Sequence, residues 1–392
     1  MGNSGVVKIL LEREEVNPDL PATINGRTPL SWAAGNGHAE IAKILLAREE
    51  VNPDQADTTY GRTPLSWAAV NGHAGIAKIL LAREDVNPNQ ADTKGGWTPL
   101  MSAVLGGCKE LSKLLLERKE VNPDQGEADC SRTPLMLASQ YGLEGVAKML
   151  LEREDVNPNL VDTLYGRTSL SWAAEGGHEG LVKMLLEREE VNPDQADTWL
   201  GRTPLSWAAE NGHSGVVKML LKREGVNPGQ EDSCGQTPIW WAALWGHGRV
   251  VKILLEQQEV NPNHADTAYG RTPLSWAAVN GDAEIVKILL AREDVNPNQA
   301  DTVYGRMPLA WAAMKGHEAV VKMLLEREEV DPSKGDSQYG RKPIWTLKFW
   351  HPSKKTDAYP NTIRPVLSLK RLKKKLNVFH DQDPEGEGKS DK

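Results

Sequence analysis

The stretch of sequence that decides the fold is residues 201–221, which read GRTPLSWAAENGHSGVVKMLL. The opening phrase GRTPLSWAA, or a variant of it, also begins at Gly26, Gly61, Gly96, Ser131, Gly166, Gly235, Gly270, Gly305 and Gly340. The step is 35 residues, except between Gly201 and Gly235, where it is 34. A fixed period of this length is the signature of a repeat architecture.

Each repeat is predicted to hold two short helices. In residues 201–221, the hydroxyl of Thr203 can cap the first helix, and Pro204 fits its first position, where no N–H is needed. Gly212 can take the left-handed conformation that ends this helix. The second helix has apolar residues at helical spacing from Val216 to Leu221, and the proline of the following VNPG stretch stops it.

Helices of two to three turns are too short to be stable alone, so the repeats must stack. The predicted fold is therefore an all-α solenoid, with short β-hairpin-like finger loops between its repeats. The predicted organisation is a partial repeat over 1–25, nine repeats over 26–339, a partial repeat over 340–350, and a basic amphipathic segment with a disordered tail over 351–392. The partial repeat at the start has a second helix but no first helix to cover its apolar face.

The repeated phrase resembles the ankyrin signature, G-x-T-P-L-H-x-A-A followed by G-H and V-V-x-L-L, over about nine-tenths of the chain. Its particular sequence, TPLSWAA with RE-x-VNPDQADT, resembles that of the ankyrin arrays of filamentous fungi. Those arrays often follow a NACHT-type NTPase domain in one polypeptide. The resemblance implies a scaffold or recognition module that binds a macromolecular partner on a concave face, formed by finger tips and first-helix ends. The alternative is the sensor portion of a larger fungal NACHT-type NTPase signalling protein.

Two departures from the ankyrin pattern affect hydrogen bonding. Serine replaces the family's histidine after TPL, which puts the bond that histidine makes in doubt. Arg-Glu-Glu or Arg-Glu-Asp, as at 48–50, replaces the family's Gly-Ala-Asp after the second helix. Since glycine is the residue best suited to a left-handed helix cap, we expect that cap to be lost.

Charge and cysteine content narrow the class of partner. Ten Lys/Arg stand against six Asp/Glu in 351–392, whereas 1–350 holds 36 against 48. This acidic body argues against nucleic-acid binding along the array and leaves a protein as the expected partner. Three cysteines without a CxxC pair, and the lack of a long apolar run, predict a cytoplasmic protein, with the nucleus as a second location.

No catalytic or cofactor-binding constellation stands apart from the repeats, so no enzymatic activity and no cofactor are predicted. One histidine recurs per repeat at the helix–helix turn. Because successive copies lie about 10 Å apart, they cannot close a four-ligand metal site, and a turn role is favoured. These histidines are His38, His73, His178, His213, His247 and His317.

Three further rows recur once per repeat. Arginine follows the first glycine, as at Arg202, and aspartate precedes that glycine by four residues, as at Asp197. The two rows are interpreted as charges that hold neighbouring fingers in register, rather than as a basic ladder for an acidic partner. Tryptophan recurs on the first helix and is predicted to form the core between repeats. Ser102 and Leu137 break this row, so stacking between repeats 3 and 4 is expected to be weaker.

The candidate partner-binding residues are those that depart from the repeated pattern. Trp240, Leu244 and Trp245 lie on one first helix, and a neighbouring finger ends in Trp199-Leu200. Exposed aromatic clusters mark interfaces, and Tyr141 is a further candidate at a first-helix end. The alternative is local repacking around the deletion before Gly235, and the sequence leaves these two interpretations evenly balanced.

The segment 366–376, VLSLKRLKKKL, predicts a short basic amphipathic helix. A cap on the stack with a solvated basic face is the favoured role. A nuclear-import signal and a contact with a membrane surface are the alternatives.

Overall fold

The computed structural model of this protein describes residues 3–333. Over that range it contains nineteen helices and no strands, and it begins with a single helix, α1 (Ser4–Leu11). Nine pairs follow, each made of an inner helix and then an outer helix. The inner helices are α2 (Pro29–Gly35), α4 (Pro64–Val70), α6 (Pro99–Leu105), α8 (Pro134–Tyr141), α10 (Ser169–Gly176), α12 (Pro204–Glu210), α14 (Pro238–Leu244), α16 (Pro273–Asn280) and α18 (Pro308–Lys315).

The outer helices complete the pairs, and we number the nine repeats from Gly26. The outer helices are α3 (Ala39–Leu46), α5 (Ala74–Leu81), α7 (Lys109–Leu116), α9 (Glu144–Leu151), α11 (Glu179–Leu186), α13 (Ser214–Leu220), α15 (Gly248–Leu255), α17 (Ala283–Leu290) and α19 (Glu318–Leu325). The all-α repeat fold predicted from the sequence is confirmed. The segments 340–350 and 351–392, with the predicted basic helix, lie outside the described residues.

Threonine starts most inner helices, as the sequence predicts. The hydroxyl of Thr203 accepts the backbone N–H of Ser206 at 3.3 Å, and Gly212 after the helix has a φ of +76°. The serine that replaces the family's histidine joins this cap, because the hydroxyls of Thr203 and Ser206 lie 3.3 Å apart. The doubt about this position is thus resolved: serine supplies a hydrogen bond of its own within the cap.

The outer helices end without a left-handed residue, and an arginine from the following repeat takes over part of the cap. Ala47, which caps α3, is right-handed, with φ −75° and ψ −7°. Nη1 of Arg83 in the next repeat donates to the carbonyl of Leu46 at 3.1 Å, 37 residues away. Arg118, Arg153, Arg292 and Arg327 repeat this contact. The arginine of the Arg-Glu-Asp segment therefore supplies a bond between repeats, which sequence reasoning missed.

The core runs continuously through the stack. Leucine and alanine of the inner helices, such as Leu65 and Ala68, are fully buried, as is Leu80 on an outer helix. At the first helix, Leu11 is buried at the edge of this core, whereas Ile9 is largely exposed. The stack thus buries one face of each helix, which is how helices of seven or eight residues become stable.

The fingers are tight turns rather than hairpins of strands. Asp57 donates its N–H to the carbonyl of Arg62 at 3.0 Å, and Gly61 donates back to the carbonyl of Asp57 at 3.1 Å. Each finger also receives at least one backbone bond from the next finger, as from the N–H of Thr93 to the carbonyl of Tyr60 at 2.8 Å. The fingers therefore form one hydrogen-bonded row along the array.

Candidate partner-binding surface

A buried aspartate holds most of the fingers in shape. In the finger that ends repeat 4, Oδ1 of Asp162 accepts the N–H groups of Leu164 at 3.1 Å and Tyr165 at 2.6 Å. Its Oδ2 accepts the N–H of Arg167 and the indole N–H of Trp172, both at 3.2 Å. The carboxylate is only 1 % exposed, so its hydrogen bonds replace the water that it loses. The aspartate row thus fixes the finger backbone from within.

Arginines and tryptophans alternate in stacks at the finger bases. The guanidinium of Arg167 lies 4.6 Å from the ring centre of Trp172 in its own repeat and 3.5 Å from that of Trp207 in the next. Arg202 is placed in the same way between Trp207 and Trp241, at 4.7 and 3.6 Å. Each such cation–π contact is worth about 1–2 kcal/mol when it is shielded from water. Sequence reasoning treated the two rows separately and missed their alternation.

The arginines also reach the aspartate of the next repeat. Nε of Arg62 lies 3.3 Å from Oδ2 of Asp92, and Nε of Arg202 lies 3.4 Å from Oδ2 of Asp232. Burial raises the pKa of Asp232, while backbone N–H groups and Arg202 act in the opposite direction. The prediction that the two rows hold neighbouring fingers in register is confirmed at these joints. A side chain as buried as Arg202 is not presented to an acidic partner.

Trp240, which departs from the repeated phrase, takes the place of an arginine that repeat 7 lacks. Repeat 7 has Gln236 where the other stacking repeats have arginine. The indole of Trp240 lies between those of Trp241 and Trp276, with ring centres 4.9 and 5.5 Å away. Its N–H donates to Oδ2 of Asp266 at 3.1 Å, the carboxylate that an arginine at 236 would face. Trp240 thus stacks in repeat 7 where an arginine stacks in other repeats.

This finding corrects the candidate surface at repeat 7. Trp240 is fully buried and Leu244 is 5 % exposed, so neither side chain offers area to a partner. Trp245 is half-buried and packs against the cluster of Trp240, Leu244 and their aromatic neighbours. Of the two interpretations that the sequence left balanced, the exposed cluster is therefore wrong for Trp240 and Leu244, because Trp240 fills the place of the missing arginine and Leu244 packs beside it.

The exposed aromatic candidates lie two repeats earlier, on neighbouring fingers. Trp199 is 36 % exposed, and its ring centre lies 5.3 Å from that of Tyr165 on the preceding finger. Leu164, beside Tyr165, is 54 % exposed, whereas Leu200 is half-buried. We call Leu164, Tyr165, Trp199 and Leu200 the finger patch. Sequence reasoning selected Trp199-Leu200 and passed over Leu164, which holds in its finger the position that Trp199 holds in the next.

The backbone fixes the two fingers of this patch to each other. The N–H groups of Thr198 and Trp199 both donate to the carbonyl of Tyr165, at 3.0 and 3.2 Å. Asp197 holds the second finger through the N–H of Leu200 at 2.7 Å. The apolar side chains are therefore displayed on a rigid backbone, which lowers the entropy that binding must overcome.

Tyr141, the remaining candidate, lies at the end of α8 and is 49 % exposed. It shares a neighbour with the finger patch, because Arg132 is within electrostatic range of both Tyr141 and Tyr165. Burial raises the pKa of Tyr165, so its hydroxyl stays protonated at neutral pH. Tyr141 and the finger patch together give repeats 4 and 5 exposed apolar area at the finger tips and at an inner-helix end.

Five of the six recurring histidines contact a backbone carbonyl of the preceding repeat. Nε2 of His213 lies 3.0 Å from the carbonyl of Glu175, at the end of the preceding inner helix. His73, His178, His247 and His317 make the same contact. Over residues 3–333, no group of three or more His, Cys, Asp or Glu side chains is placed to hold a metal ion. No helix in this range is both long enough and apolar enough to cross a membrane.

Comparison with known proteins agrees with this architecture. A family profile for ankyrin repeats (three copies) matches residues 1–92, 84–162, 154–232, 220–301 and 258–336. Comparison with curated proteins gave no match. Ankyrin repeats are generally protein–protein interaction modules, and proteins built from them are typically non-enzymatic. Since the overlapping matches span most of its length, the chain belongs to the ankyrin-repeat family.

Proposed function

We propose that this array is a recognition scaffold whose finger patch, flanked by Tyr141, binds a protein partner. The supporting observation is the pair of exposed side chains Leu164 and Trp199, joined through Tyr165 on two hydrogen-bonded fingers. Aromatic and aliphatic side chains on a rigid frame are typical of binding hot spots. The inner-helix tryptophans of repeats 5 to 9 are buried in the stack. Trp199 instead lies on a finger, outside that stack, and is partly exposed.

The chemistry of the patch indicates the kind of partner. The four side chains of the patch carry no charge, and the carboxylates that hold its backbone, on Asp162 and Asp197, are buried and hydrogen-bonded within their own fingers. The patch itself is therefore uncharged, and we expect the partner to place an apolar or aromatic side chain between Leu164 and Trp199. We propose the cytoplasm or nucleus as the compartment, since the three cysteines are free thiols.

The test is site-specific photo-crosslinking of the whole chain in cells. A photoreactive side chain at Leu164 should capture a discrete protein, and one at Val303 is the matched control. Val303 holds the same finger position and is also exposed, at 41 %. Trp199→Ala should abolish capture from position 164 and weaken the binding of the captured protein at least tenfold, since losing a hot-spot aromatic costs about 2 kcal/mol.

Trp32→Ala controls for the loss of an exposed tryptophan elsewhere, because Trp32 is 38 % exposed at the start of the array. Equal capture at Leu164 and Val303, or unchanged binding by Trp199→Ala, would contradict the proposed surface.

A role as the sensor portion of a larger NACHT-type NTPase protein is a second proposal. It is supported by the wording of the repeats, TPLSWAA with RE-x-VNPDQADT. Genomic sequence upstream of the first codon tests it, and an unrelated neighbouring gene in place of an NTPase domain would contradict it.

A further inference from the structure

A second ladder of side chains links the repeats beyond the outer helices. It is built from the third residue after valine in each VNPx stretch, which is Asp or Asn at eight positions. One side-chain oxygen of this residue accepts the backbone N–H of the asparagine 33 residues later. The pairs are Asp19–Asn52, Asp54–Asn87, Asn89–Asn122, Asp124–Asn157, Asn159–Asn192, Asp194–Asn227 and Asn263–Asn296, at 2.7–3.2 Å. We call each pair a loop joint.

Asparagine makes a second hydrogen bond at its loop joint, through its side-chain N–H. Nδ2 of Asn89 donates to the carbonyl of Glu120 at 2.6 Å, 31 residues later. Asn159, Asn263 and Asn298 donate in the same way to the carbonyls 31 residues after them, also at 2.6 Å. The asparagine joints are therefore closed by a donor and an acceptor on one amide.

Aspartate leaves this second position unsatisfied. In Asp19, Asp54, Asp124 and Asp194, Oδ2 accepts the N–H 33 residues later, while Oδ1 is shielded from solvent and has no hydrogen-bond partner. A carboxylate has the shape of an amide, so Oδ1 corresponds to the Nδ2 that donates to the carbonyl in the asparagine joints. An ionised Oδ1 has no proton to donate there, and a buried oxygen without a hydrogen-bond partner is costly.

We propose that these four aspartates are proton-sensitive joints. A proton taken from solvent onto Oδ1 would donate to the carbonyl 31 residues later, and the joint would gain the hydrogen bond that asparagine already makes. The carbonyls in question belong to Glu50, Asp85, Asp155 and Gly225. Because each aspartate joins two neighbouring units, protonation would tighten the stack in weakly acid solution.

The surroundings of the four aspartates also favour their protonation. Burial raises the pKa of all four aspartates, and the N–H bond from asparagine opposes this in part. Asp85 raises the pKa of Asp54 further. At Asp124, Asp155 raises the pKa and Arg153 lowers it. At Asp19 and Asp194, burial raises the pKa and the N–H of the asparagine lowers it.

The sign of the pH dependence follows from the raised pKa. A group that binds its proton more tightly in the folded state adds stability as the pH falls through its folded pKa, and that stability is lost as the pH rises again. The window therefore lies above about 3.9, the ordinary aspartate value. Carboxylates paired with arginine, such as Asp85 and Asp155, have lowered pKa values and titrate below that window.

The experiment compares thermal unfolding of the whole chain between pH 7.5 and pH 4, a range that reaches down to about the ordinary aspartate pKa. The wild-type melting temperature should rise as the pH falls. The variant D19N/D54N/D124N/D194N should melt higher at pH 7.5, by about 1 °C per joint, and should lose most of the rise. The matched control N89D/N159D/N263D should melt lower at pH 7.5 and show a steeper rise.

Carbon-13 NMR titration of the aspartate carboxyls gives a second readout that does not depend on cooperative unfolding. We expect the midpoints of Asp54, Asp124 and Asp194 to lie above the ordinary value. Midpoints at or below it, or a quadruple variant that melts lower than the wild type at pH 7.5, would overturn the proposal. It would also be overturned if calcium or magnesium ions at pH 7.5 stabilise the wild type but not the quadruple variant, since a cation would then occupy Oδ1.

Discussion

Trp240 donates its indole N–H to Asp266 at 3.1 Å and so makes the contact with a finger aspartate that an arginine makes in other repeats. Nε of Arg62 and of Arg202 approaches the corresponding aspartate of the next repeat at 3.3 and 3.4 Å. The substitution is coupled to Gln236, which stands where the arginine would be. A tryptophan four residues along the chain thus replaces both the planar stacking group and the hydrogen-bond donor.

This coupling predicts a rescue. Trp240→Ser, which restores the serine of the repeated phrase, should destabilise the array by about 3 kcal/mol, because it leaves a cavity beside Trp276 and removes a donor from Asp266. Adding Gln236→Arg should recover most of the lost stability, because it restores the arginine that stacks between tryptophans in other repeats. Urea unfolding of the two variants and of Gln236→Arg alone measures the effect. A double variant no more stable than Trp240→Ser would show that Trp240 is not a substitute for arginine.

The half-buried and the exposed tryptophans should respond differently to truncation. Trp245 packs against the cluster around Trp240, so Trp245→Ala should lower the melting temperature. Trp199→Ala should leave it nearly unchanged, since surface substitutions usually shift stability by less than about 0.5 kcal/mol. Thermal unfolding followed by circular dichroism compares the two. A larger loss at Trp199 than at Trp245 would contradict the proposed division between stack and surface.

The stack of arginine and tryptophan is broken in the middle of the array. Repeat 3 has Trp97 and Ser102 in place of arginine and tryptophan, and repeat 4 has Leu137 in place of tryptophan. Since the cooperativity of a solenoid depends on contacts between neighbours, we expect backbone hydrogen exchange among the interior repeats to be fastest in 96–165. Exchange mass spectrometry tests this, with Ser102→Trp expected to slow exchange there by placing an indole next to Arg62. Uniform protection across all nine repeats would count against it.

The arginines that reach back to the preceding outer helix give a further prediction. Arg153 donates to the carbonyl of Leu116 at 3.2 Å and is mostly buried. Arg153→Gln should destabilise the array by about 1 kcal/mol, because the carbonyl loses its donor. Repeat 7 naturally carries Gln257 at this position, so Gln257→Arg is the converse variant and should stabilise. Denaturant unfolding of both decides the matter, and a stabilising Arg153→Gln would refute the capping role.

Much of the fold was predictable because the residues that begin and end each helix lie next to it in the sequence. The threonine caps, the proline at the first helical position and the glycine after the inner helix act within a few residues, so Thr203, Pro204 and Gly212 could be assigned from the sequence alone. The period supplied the stacking, since helices of seven or eight residues must bury their apolar faces against neighbours. The tryptophan row followed from the same periodicity and is buried from repeat 5 onward, whereas its first member, Trp32, is 38 % exposed.

The candidate site was predictable only in part, because exposure depends on contacts between repeats. Trp199 and Trp240 are both departures from the repeated phrase, and nothing in their spacing separates them. The tertiary structure does separate them: a missing arginine leaves a gap that Trp240 fills, whereas Trp199 lies on a finger and is 36 % exposed.

The sequence by itself determined the repeat, the helix pairs and the row of buried tryptophans, since caps and helical periodicity act along the chain. Only the tertiary structure decided which side chains meet across 30 to 40 residues. The link from Arg202 to Asp232 and the unpaired Oδ1 of Asp54 arise from such contacts. Their physical basis is the distance between groups on neighbouring repeats, which is set by how the repeats pack and not by the local sequence.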